Sequence, residues 1–411
     1  MTSVPCFARV VVGTRGRFFG RRGACSERRR GSSWCSRIGL FRWLGLASLA
    51  WVACDGKDGA AQDGGAANPQ VDAGAEVDGG KAAQVLASVE FVDGLSLNGD
   101  FVYLTSSPRP QLRWGMISRV PKVGGELEEI FRDYDDFASF AVVDETQIFW
   151  VSGGYEVRRM DKAGGPWTKV ANNKGFGAGL WVYELLIDRS NVYWTESWKI
   201  PRWWDEAPDP YPNLGRVLKA PKDGGDQVVL ASGPTVMAPH SLALFKDHVY
   251  WADADAQTIS RVAKAGGLVE VIASGLGEKE RYAPMGPSIW LAVDSTGVYW
   301  SSRVDSTASM ASSLDGGLLV PVRALDLPAG FLMDQSHFFW STGKAMWKMP
   351  KSGGEAQLLA DRLSDGRQVS AFILQALDEE FVYFMDQGPA AWGPGGVILG
   401  KDGFVGRVSK N

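Results

Sequence analysis

Few residues of this chain have the types and spacing that catalysis or metal binding requires. The sequence contains three histidines, His240, His248 and His337, and it has no HExxH pattern, no closely spaced cysteine pair and no glycine-rich phosphate loop. Asp253 and Asp255 alternate in the segment WADADA. Such a pair can bind calcium, although alternation at the end of a strand is the commoner reason for this spacing. We therefore expect neither a metal site nor a cofactor.

These residues belong to a repeated pattern that sets their positions. A hydrophobic residue, an aromatic residue, a third residue that is usually tryptophan, and then small polar residues recur at intervals of 40 to 57 residues. The seven copies are VYLTS at Val102, IFWVS at Ile148, VYWTE at Val192, VYWAD at Val249, VYWSS at Val298, FFWST at Phe338 and VYFMD at Val382. A period of this length is typical of stacked or radial repeats.

Each repeat has the material for four short antiparallel strands, here named a to d. The clearest repeat predicts strands at Ser241–Phe245, His248–Asp253, Thr258–Lys264 and Leu268–Ser274. Gly-Gly pairs separate strands c and d, where we expect hairpin turns because glycine adopts positive φ at little cost. The six internal pairs begin at Gly124, Gly164, Gly224, Gly266, Gly316 and Gly353. The sequence thus predicts an all-β, seven-bladed β-propeller of four-stranded antiparallel blades.

The two ends of the repeated region complement each other. The last repeat stops after Gly406–Asn411 without a strand d, and the missing half appears at Asp78–Ser88. Joined, the two pieces copy Gly215–Ser232 of the third repeat. We therefore predict that the N-terminal strand pairs with the last blade and closes the ring, which removes free sheet edges. The alternative is that Gly79 and Gly80 belong only to a linker.

The repeats resemble the YWTD propellers of lipoprotein receptors and, more loosely, NHL and TolB-type propellers. The resemblance covers residues 78–411 and rests on VYWTE at Val192, VYWAD at Val249 and SRVAKAGG at Ser260. The receptor family has six blades, whereas seven copies of the phrase occur here. Asp253, Asp386 and, more loosely, Glu196 match the acidic position of the family motif. The resemblance implies a structural role for that residue.

The first 77 residues differ from the rest. Residues 1–53 carry ten arginines and one glutamate and end in the apolar run Trp43–Ala53, which is too short to span a bilayer and suits a signal peptide. The Ala-Cys step at its end resembles a bacterial lipobox, with Trp51 where leucine is usual, and this resemblance implies acylation of Cys54. Residues 54–77 lack aromatic residues and predict a disordered tether. An ordinary secretory signal is the alternative.

The predicted location and the net charge of the chain limit the classes of partner that we expect. We expect a lipid-anchored protein of the bacterial cell envelope, in the periplasm or on the outer membrane, that touches the membrane through its anchor only. The net charge of the whole chain is −4, and the arginine-rich leader hides a more acidic remainder. Because phosphate backbones repel such a chain, nucleic acid is not an expected partner. We expect a monomer.

Long insertions in the repeats lie on one side of the predicted blades. The b–c loops and the d–a crossovers share one face of a four-stranded blade, and the a–b and c–d turns share the other. The longer segments of the first face carry Trp114, Trp198, Trp203, Trp204, Tyr211, Arg281, Tyr282 and Trp392. Exposed aromatic residues on loops held by a rigid scaffold are typical of recognition sites. The alternative is that individual tryptophans fold back and cap the blades.

Two classes of function compete. The first is a non-catalytic binding or scaffold propeller that recognises a protein or a glycan on the aromatic face. The second is an envelope enzyme, a lyase or a lactonase-like hydrolase, with a site at the channel mouth. Glu184 and His240 are the candidates for that site on the inner strands, which otherwise begin with apolar or small residues. Since catalysis needs several converging titratable groups, we favour the binding protein.

Overall fold

The fold is described from a computed structural model. It describes residues 82–107, 114–134, 136–172, 181–197, 215–276, 289–302, 309–314, 320–323, 330–388, 391–393, 396–398 and 402–411. All of them belong to one compact unit, Ala73–Asn411. The predicted signal peptide and tether, with Cys54, lie outside the described residues. In the described part the regular elements are β-strands, and no helix there is long and apolar enough to cross a membrane.

Six sheets have four antiparallel strands each, ordered along the sheet as they are in the sequence. The first contains β2 (Val92–Asn98), β3 (Phe101–Ser106), β4 (Gly115–Pro121) and β5 (Glu128–Asp133); the second contains β6 (Ala138–Val143), β7 (Gln147–Ser152), β8 (Glu156–Asp161) and β9 (Thr168–Asn172). The third contains β10 (Trp181–Ile187), β11 (Asn191–Ser197), β12 (Arg216–Pro221) and β13 (Val228–Ser232); the fourth contains β14 (Pro239–Phe245), β15 (His248–Asp253), β16 (Thr258–Ala263) and β17 (Glu270–Ser274). The fifth contains β18 (Ile289–Val293), β19 (Val298–Ser302), β20 (Ser309–Ser312) and β21 (Val320–Arg323); the sixth contains β22 (Phe331–Met333), β23 (His337–Ser341), β24 (Met346–Pro350) and β25 (Gln357–Ala360).

The seventh repeat lies in a five-stranded sheet with the order β26–β1–β31–β28–β27. Its strands are β27 (Ile373–Leu377), β28 (Phe381–Asp386), β31 (Phe404–Ser409), β1 (Ala82–Ser88) and β26 (Arg362–Leu363). β1 runs antiparallel to β31, with Gln84 opposite Arg407, and parallel to β26. A small hairpin, β29 (Ala391–Gly393) and β30 (Gly396–Ile398), is inserted between β28 and β31. The expectation of seven four-stranded blades is therefore corrected to six, because β26, which follows the sixth sheet, adds a fifth strand here.

The sheets form a ring of β-propeller type. The first strands of neighbouring sheets lie side by side, from β2 and β6 through to β22 and β27, and β27 also lies beside β2. A separate hydrophobic cluster fills each space between sheets, as where Tyr193 and Leu230 of the third sheet pack with Trp251 of the fourth. Aromatic side chains of the repeated phrase thus form part of the hydrophobic core between the sheets. The fold class, an all-β propeller with four-stranded antiparallel blades, is confirmed.

The Gly-Gly pairs end a turn rather than forming it. In the first sheet the N–H of Gly124 donates to the carbonyl of Pro121 at 2.8 Å, which closes a β-turn over Lys122 and Val123. Gly124 and Gly125 have φ of 87° and 145°, so only glycine fits without strain. The same pattern recurs at Gly164, Gly224, Gly266 and Gly353. The expected hairpins between strands c and d are therefore present, with the glycines at the end of the turn, and each turn presents its first central residue.

In five sheets that residue is a lysine that bridges to the a–b turn of the neighbouring sheet, and Lys410, directly after β31, makes the same kind of bridge. The bridges are Lys122–Asp378 at 3.0 Å, Lys162–Asn98 at 2.7 Å, Lys222–Asp144 at 2.7 Å, Lys264–Asp188 at 3.1 Å, Lys410–Asp334 at 2.8 Å, and Lys351–Asp294. Burial acts to raise the pKa of Asp334, but the Lys410 ammonium and two backbone N–H groups outweigh it and lower that pKa to about 2. These bridges fasten one face of the ring.

One junction replaces the bridge with an apolar contact. By strand register, Phe245 occupies the acceptor position of the fourth sheet, and Leu314 occupies the lysine position of the fifth. Both side chains pack on the same hydrophobic cluster. Because both partners change together, neither an unpaired aspartate nor an unpaired lysine is left at this junction.

Candidate functional site

The sheet topology places the long insertions together. Each of them joins a second strand to a third, and the crossover that contains Arg281 joins a fourth strand to the next first strand. In these antiparallel sheets both kinds of connection leave from the end where the inner strands begin. We call this end of the ring the insertion face.

The predicted binding residues are only partly within the described structure. Trp198, Trp203, Trp204, Tyr211, Arg281 and Tyr282 lie outside the described residues. Trp392 lies in β29, opposite Val397. Trp114 stands directly before β4, and the guanidinium carbon of Arg132 lies 4.8 Å from the centre of its ring. The described structure therefore places Trp114 and Trp392 at the insertion face but does not bring the whole predicted set together.

The opposite face is closed by short turns. An aspartate begins five of the a–b turns, and its Oδ1 accepts two backbone N–H groups at 2.7 to 3.2 Å. These residues are Asp144, Asp188, Asp294, Asp334 and Asp378, the acceptors of the lysine bridges described above. Their oxygens are thus occupied by the scaffold, which leaves this face poorly suited to bind a ligand through them.

Glu184 lies on the inner strand of the third sheet, directly after a bulge. The register of β10 against β11 shifts between Val182 and Glu184. Its Oε2 accepts the N–H of Leu242, on the inner strand of the fourth sheet, at 2.8 Å. Burial raises the pKa of Glu184 to about 7, against the opposing effect of backbone N–H groups of Leu242 and Ser241. The carboxyl group can therefore exchange a proton near neutral pH. Its hydrogen bond to Leu242, however, links the third sheet to the fourth.

Other inner strands have residues at the same level as Glu184. Ser241 takes a positive φ of 53°, and its Oγ accepts the N–H of Leu291 from the fifth sheet at 3.1 Å. By register, the residues opposite the fourth position of the repeated phrase are Gly94, Ser139, Glu184, His240, Trp290, Gly330 and Ile373. Glu184 and His240 are the ionisable members of this row. Glu184 Oε2 and His240 Nδ1 are both bound to backbone groups, so the row does not present them as the free acid and base pair of a hydrolase or a lyase.

His240 is held by the backbone around the bulge of the fourth sheet. Its Nδ1 lies 3.1 Å from the carbonyl oxygen of Ala238 and 3.1 Å from that of Ala252. A nitrogen between two carbonyl oxygens carries the proton, which fixes the tautomer. Among the described residues, no group of three or more His, Cys, Asp or Glu side chains is arranged to hold a metal ion.

The acidic residue of the repeat motif holds the crossover in place. Asp253 has 0% exposure and accepts the backbone N–H groups of Met237 at 2.7 Å, Ala238 at 3.1 Å and Ala256 at 2.9 Å. Burial raises its pKa, while these donors oppose the shift. Asp386 accepts N–H groups of its own crossover and loop in the same way. With its oxygens occupied, Asp253 has a structural role rather than a place in a calcium pair.

Three exposed aromatic residues were not foreseen. Tyr134, Tyr155 and Trp167 are 77%, 49% and 40% exposed. They lie in short connections of the first two sheets rather than in the long insertions, which is why insertion length did not reveal them. Their sequence signal is that they fall outside the buried aromatic phrase of the repeats.

Solved structures with the same fold were found by comparison. YCF48 bound to D1 peptide matches with a TM-score of 0.51 and 11% identity, over 81% of this chain and 98% of that chain. Oligogalacturonate lyase from Vibrio parahaemolyticus matches with a TM-score of 0.50 and 10% identity, over 79% of this chain and 91% of that chain. No protein-family model matches, and no curated protein is similar in sequence. The likeness shows a β-propeller, a class that here includes a peptide complex and an enzyme.

The raised pKa of Glu184 predicts how stability depends on pH. Since the pKa rises from 4.5 to about 7 on folding, the folded chain binds more protons than the unfolded chain between these values. The free energy of unfolding should therefore fall as pH rises through this window, by up to about 3 kcal/mol. Glu184→Gln keeps an acceptor for Leu242 and should remove most of that fall. Urea unfolding of both proteins at pH 5, 6, 7 and 8 measures this pH dependence of the free energy of unfolding.

The matched control is Glu145→Gln, in an exposed a–b turn, which should keep the wild-type slope. Equal slopes for wild type and Glu184→Gln would contradict the expected protonation of Glu184.

Proposed function

We propose that this protein is a non-catalytic binding or scaffold propeller of the bacterial cell envelope, which recognises a protein or a glycan through the aromatic residues of its insertion face. The observation that carries the proposal is the asymmetry of the ring. Strand order places every long insertion on one face, whereas aspartate turns and lysine bridges close the other. Rigid sheets that hold variable aromatic loops are the usual form of a recognition surface.

The proposal includes a ring of YWTD-like repeats that is closed by the N-terminal strand. Its support is that Arg407 Nε donates to Gln84 Oε1 at 3.0 Å, and that Val89 N–H donates to Gly403 O at 2.8 Å. Leu86 is buried in a cluster that contains residues of the first sheet and of β28 and β31. Lys122 of the first sheet also reaches Asp378, in the turn between β27 and β28.

The proposed location rests on the sequence. An arginine-rich leader, an apolar core and Cys54 favour a signal peptide followed by a lipid anchor, and residues 54–77 favour a flexible tether. A tether of this composition would hold the propeller near the membrane while leaving its insertion face free to bind.

A second candidate is an envelope enzyme, a lyase or a lactonase-like hydrolase, that acts at the centre of the ring. The observation that favours it is Glu184, whose pKa of about 7 suits proton transfer near neutral pH. The argument against it is that Glu184 Oε2 and His240 Nδ1 are both bound to backbone groups, and that the rest of this row is apolar or uncharged. Loss of a catalytic activity in Glu184→Gln, with unchanged folding, would favour this candidate.

The double substitution Trp203→Ala and Trp204→Ala tests the binding proposal. We expect the affinity of the full chain for envelope material to fall at least about tenfold, because interface tryptophans dominate binding energy. Binding to purified cell-wall polysaccharide and to envelope protein extract should be measured separately, with the melting temperature of each variant. The matched control is Val228→Ala with Val229→Ala, two exposed residues on the outer strand of the same sheet.

Unchanged binding by the double variant would contradict a role for these tryptophans in recognition. A large drop in melting temperature would show instead that they cap the blade.

A further inference from the structure

Arg158 forms the centre of an ordered charge cluster between the first two sheets. Its Nη1 lies 2.6 Å from Asp133 Oδ2, at the end of β5, and its Nε lies 2.5 Å from Glu156 Oε2, at the start of β8. Lys169 Nζ lies 3.5 Å from the other oxygen of Glu156. The three side chains of the central triad are each only 12 to 14% exposed, so the guanidinium is held from two sides.

Trp167 stacks on this guanidinium. The guanidinium carbon of Arg158 lies 3.9 Å from the centre of the Trp167 ring. A cation at this distance covers one face of the ring and holds it in place. Since Trp167 is still 40% exposed, part of the ring remains open to solvent. A ring fixed on one side and open on the other is a preorganised stacking surface, which lowers the entropy cost of binding.

Two exposed tyrosines are next in sequence to the two carboxylates of this cluster. Tyr134 follows Asp133 in the sequence, and Tyr155 precedes Glu156. The ring of Tyr155 also lies close to the crossover that carries Tyr134, since a Cβ at Gly153 would meet Asp136 Oδ2 at 2.3 Å and Tyr155 Cε1 at 2.6 Å. Tyr134 lies in a d–a crossover and Tyr155 in a b–c loop, both at the insertion face, whereas Trp167 lies in a c–d connection. Trp167 is therefore the aromatic residue of the cluster itself.

The exposed aliphatic residues lie elsewhere. They are Val123, Val228, Val229, Leu268 and Val271, in c–d turns and on outer strands. The cluster around Arg158 therefore offers one aromatic face, that of Trp167, edged by carboxylates and cations, without an exposed aliphatic patch beside it.

We propose that the Trp167 surface, with Arg158, Glu156 and Lys169, is a second binding site that takes an uncharged saccharide. The C–H face of a pyranose stacks on the open side of the indole. Lys169, whose side chain is 43% exposed, donates hydrogen bonds to the sugar hydroxyls, and Glu156 holds Arg158 and Lys169 in place. This site lies on the flank between the first and second sheets, and it is independent of the insertion-face site proposed above.

The chemistry of the cluster favours a saccharide over a protein or a nucleobase. Protein hot spots need an apolar pocket that excludes water, whereas the edge of this surface is charged and hydrated. Acids and bases are nearly balanced around Arg158, which favours an uncharged ligand. A nucleic acid would bring phosphates to a chain of net charge −4, without the basic patch that such partners require.

The test is titration of the full chain with cellohexaose, chitohexaose and maltohexaose, followed by tryptophan fluorescence and saturation-transfer NMR. We expect at least one of these neutral hexasaccharides to bind. Trp167→Ala should weaken its binding about tenfold or more, and Trp167→Phe, which keeps a ring, should weaken it only about threefold. Val271→Ala, an exposed residue on the outer strand of the fourth sheet, should bind as the wild type does.

The absence of binding to all three sugars would overturn the proposal, as would equal binding by wild type and Trp167→Ala. Capture of an envelope protein that depends on Trp167 would assign the surface to a protein partner and also overturn it. None of these outcomes tests the insertion-face proposal, which depends on Trp203 and Trp204.

Discussion

Removal of residues 78–88 should abolish the cooperative unfolding of this protein. The deletion takes away β1 and uncovers the edge of β31, which pairs with it from Gln84 to Ser88. It also removes Ala83 and Leu86, both buried between sheets. Burial of one such side chain is worth about 1.5–3 kcal/mol for the larger types, and a whole domain is stable by only about 5–15 kcal/mol. A free edge of this length also invites aggregation.

Circular dichroism melting and light scattering of the deletion variant measure this effect. The matched control removes residues 58–68, an equal length from the predicted tether, and should melt as the full chain does. If the variant without residues 78–88 melts with the same midpoint and cooperativity as the full chain, the proposed closure is wrong.

Asp253→Ala should cost at least about 3 kcal/mol of unfolding free energy. The substitution leaves the N–H groups of Met237, Ala238 and Ala256 without their acceptor in a fully buried site. Each unsatisfied buried donor costs about 1–3 kcal/mol. Part of that cost is relieved by water entry, so the sum is smaller than the parts.

Urea unfolding at pH 7 measures this loss, and Asp255→Ala is its matched control. The backbone N–H of Asp255 still donates to Asp253 in that control, so we expect a change within about 1 kcal/mol. If both variants lose the same stability, the acidic residue of the motif does not hold the crossover, and its structural role would have to be abandoned.

Much of the fold could be predicted because its signals are local and repeated. The second strand of the fourth repeat, His248–Asp253, has the bounds that its sequence predicts. A short apolar run with a β-branched residue and two aromatic residues defines that strand without reference to the rest of the chain. The exact residues of the turn beside Gly266 could not be predicted, because the glycine pair signals positive φ but does not say which peptide closes the turn.

Features that depend on contacts between sheets could not be predicted. The two-residue strand β26 joins β1 only through tertiary pairing. Phe245 and Leu314 look like two separate departures from the repeat, and their common cluster is visible only in three dimensions.

The candidate site was predicted in its position more than in its contacts. Glu184 and His240 were placed on the inner strands, and both lie there, but their hydrogen bonds to backbone groups come from bulges that the sequence does not mark. Trp167 was missed, because a single aromatic residue after a Gly-Gly pair carries no sign of the arginine beneath it.

A disulfide between Gln84→Cys and Arg407→Cys tests the closed ring most directly. The two positions are direct cross-strand partners whose side chains share a hydrogen bond at 3.0 Å, a geometry that a disulfide can bridge. With the native cysteines replaced by serine, peptide mapping by mass spectrometry under non-reducing conditions should find the two segments linked in the folded protein. The control pair Gln84→Cys with Lys264→Cys should stay reduced. Free thiols in both pairs would contradict closure of the propeller by its N-terminal strand.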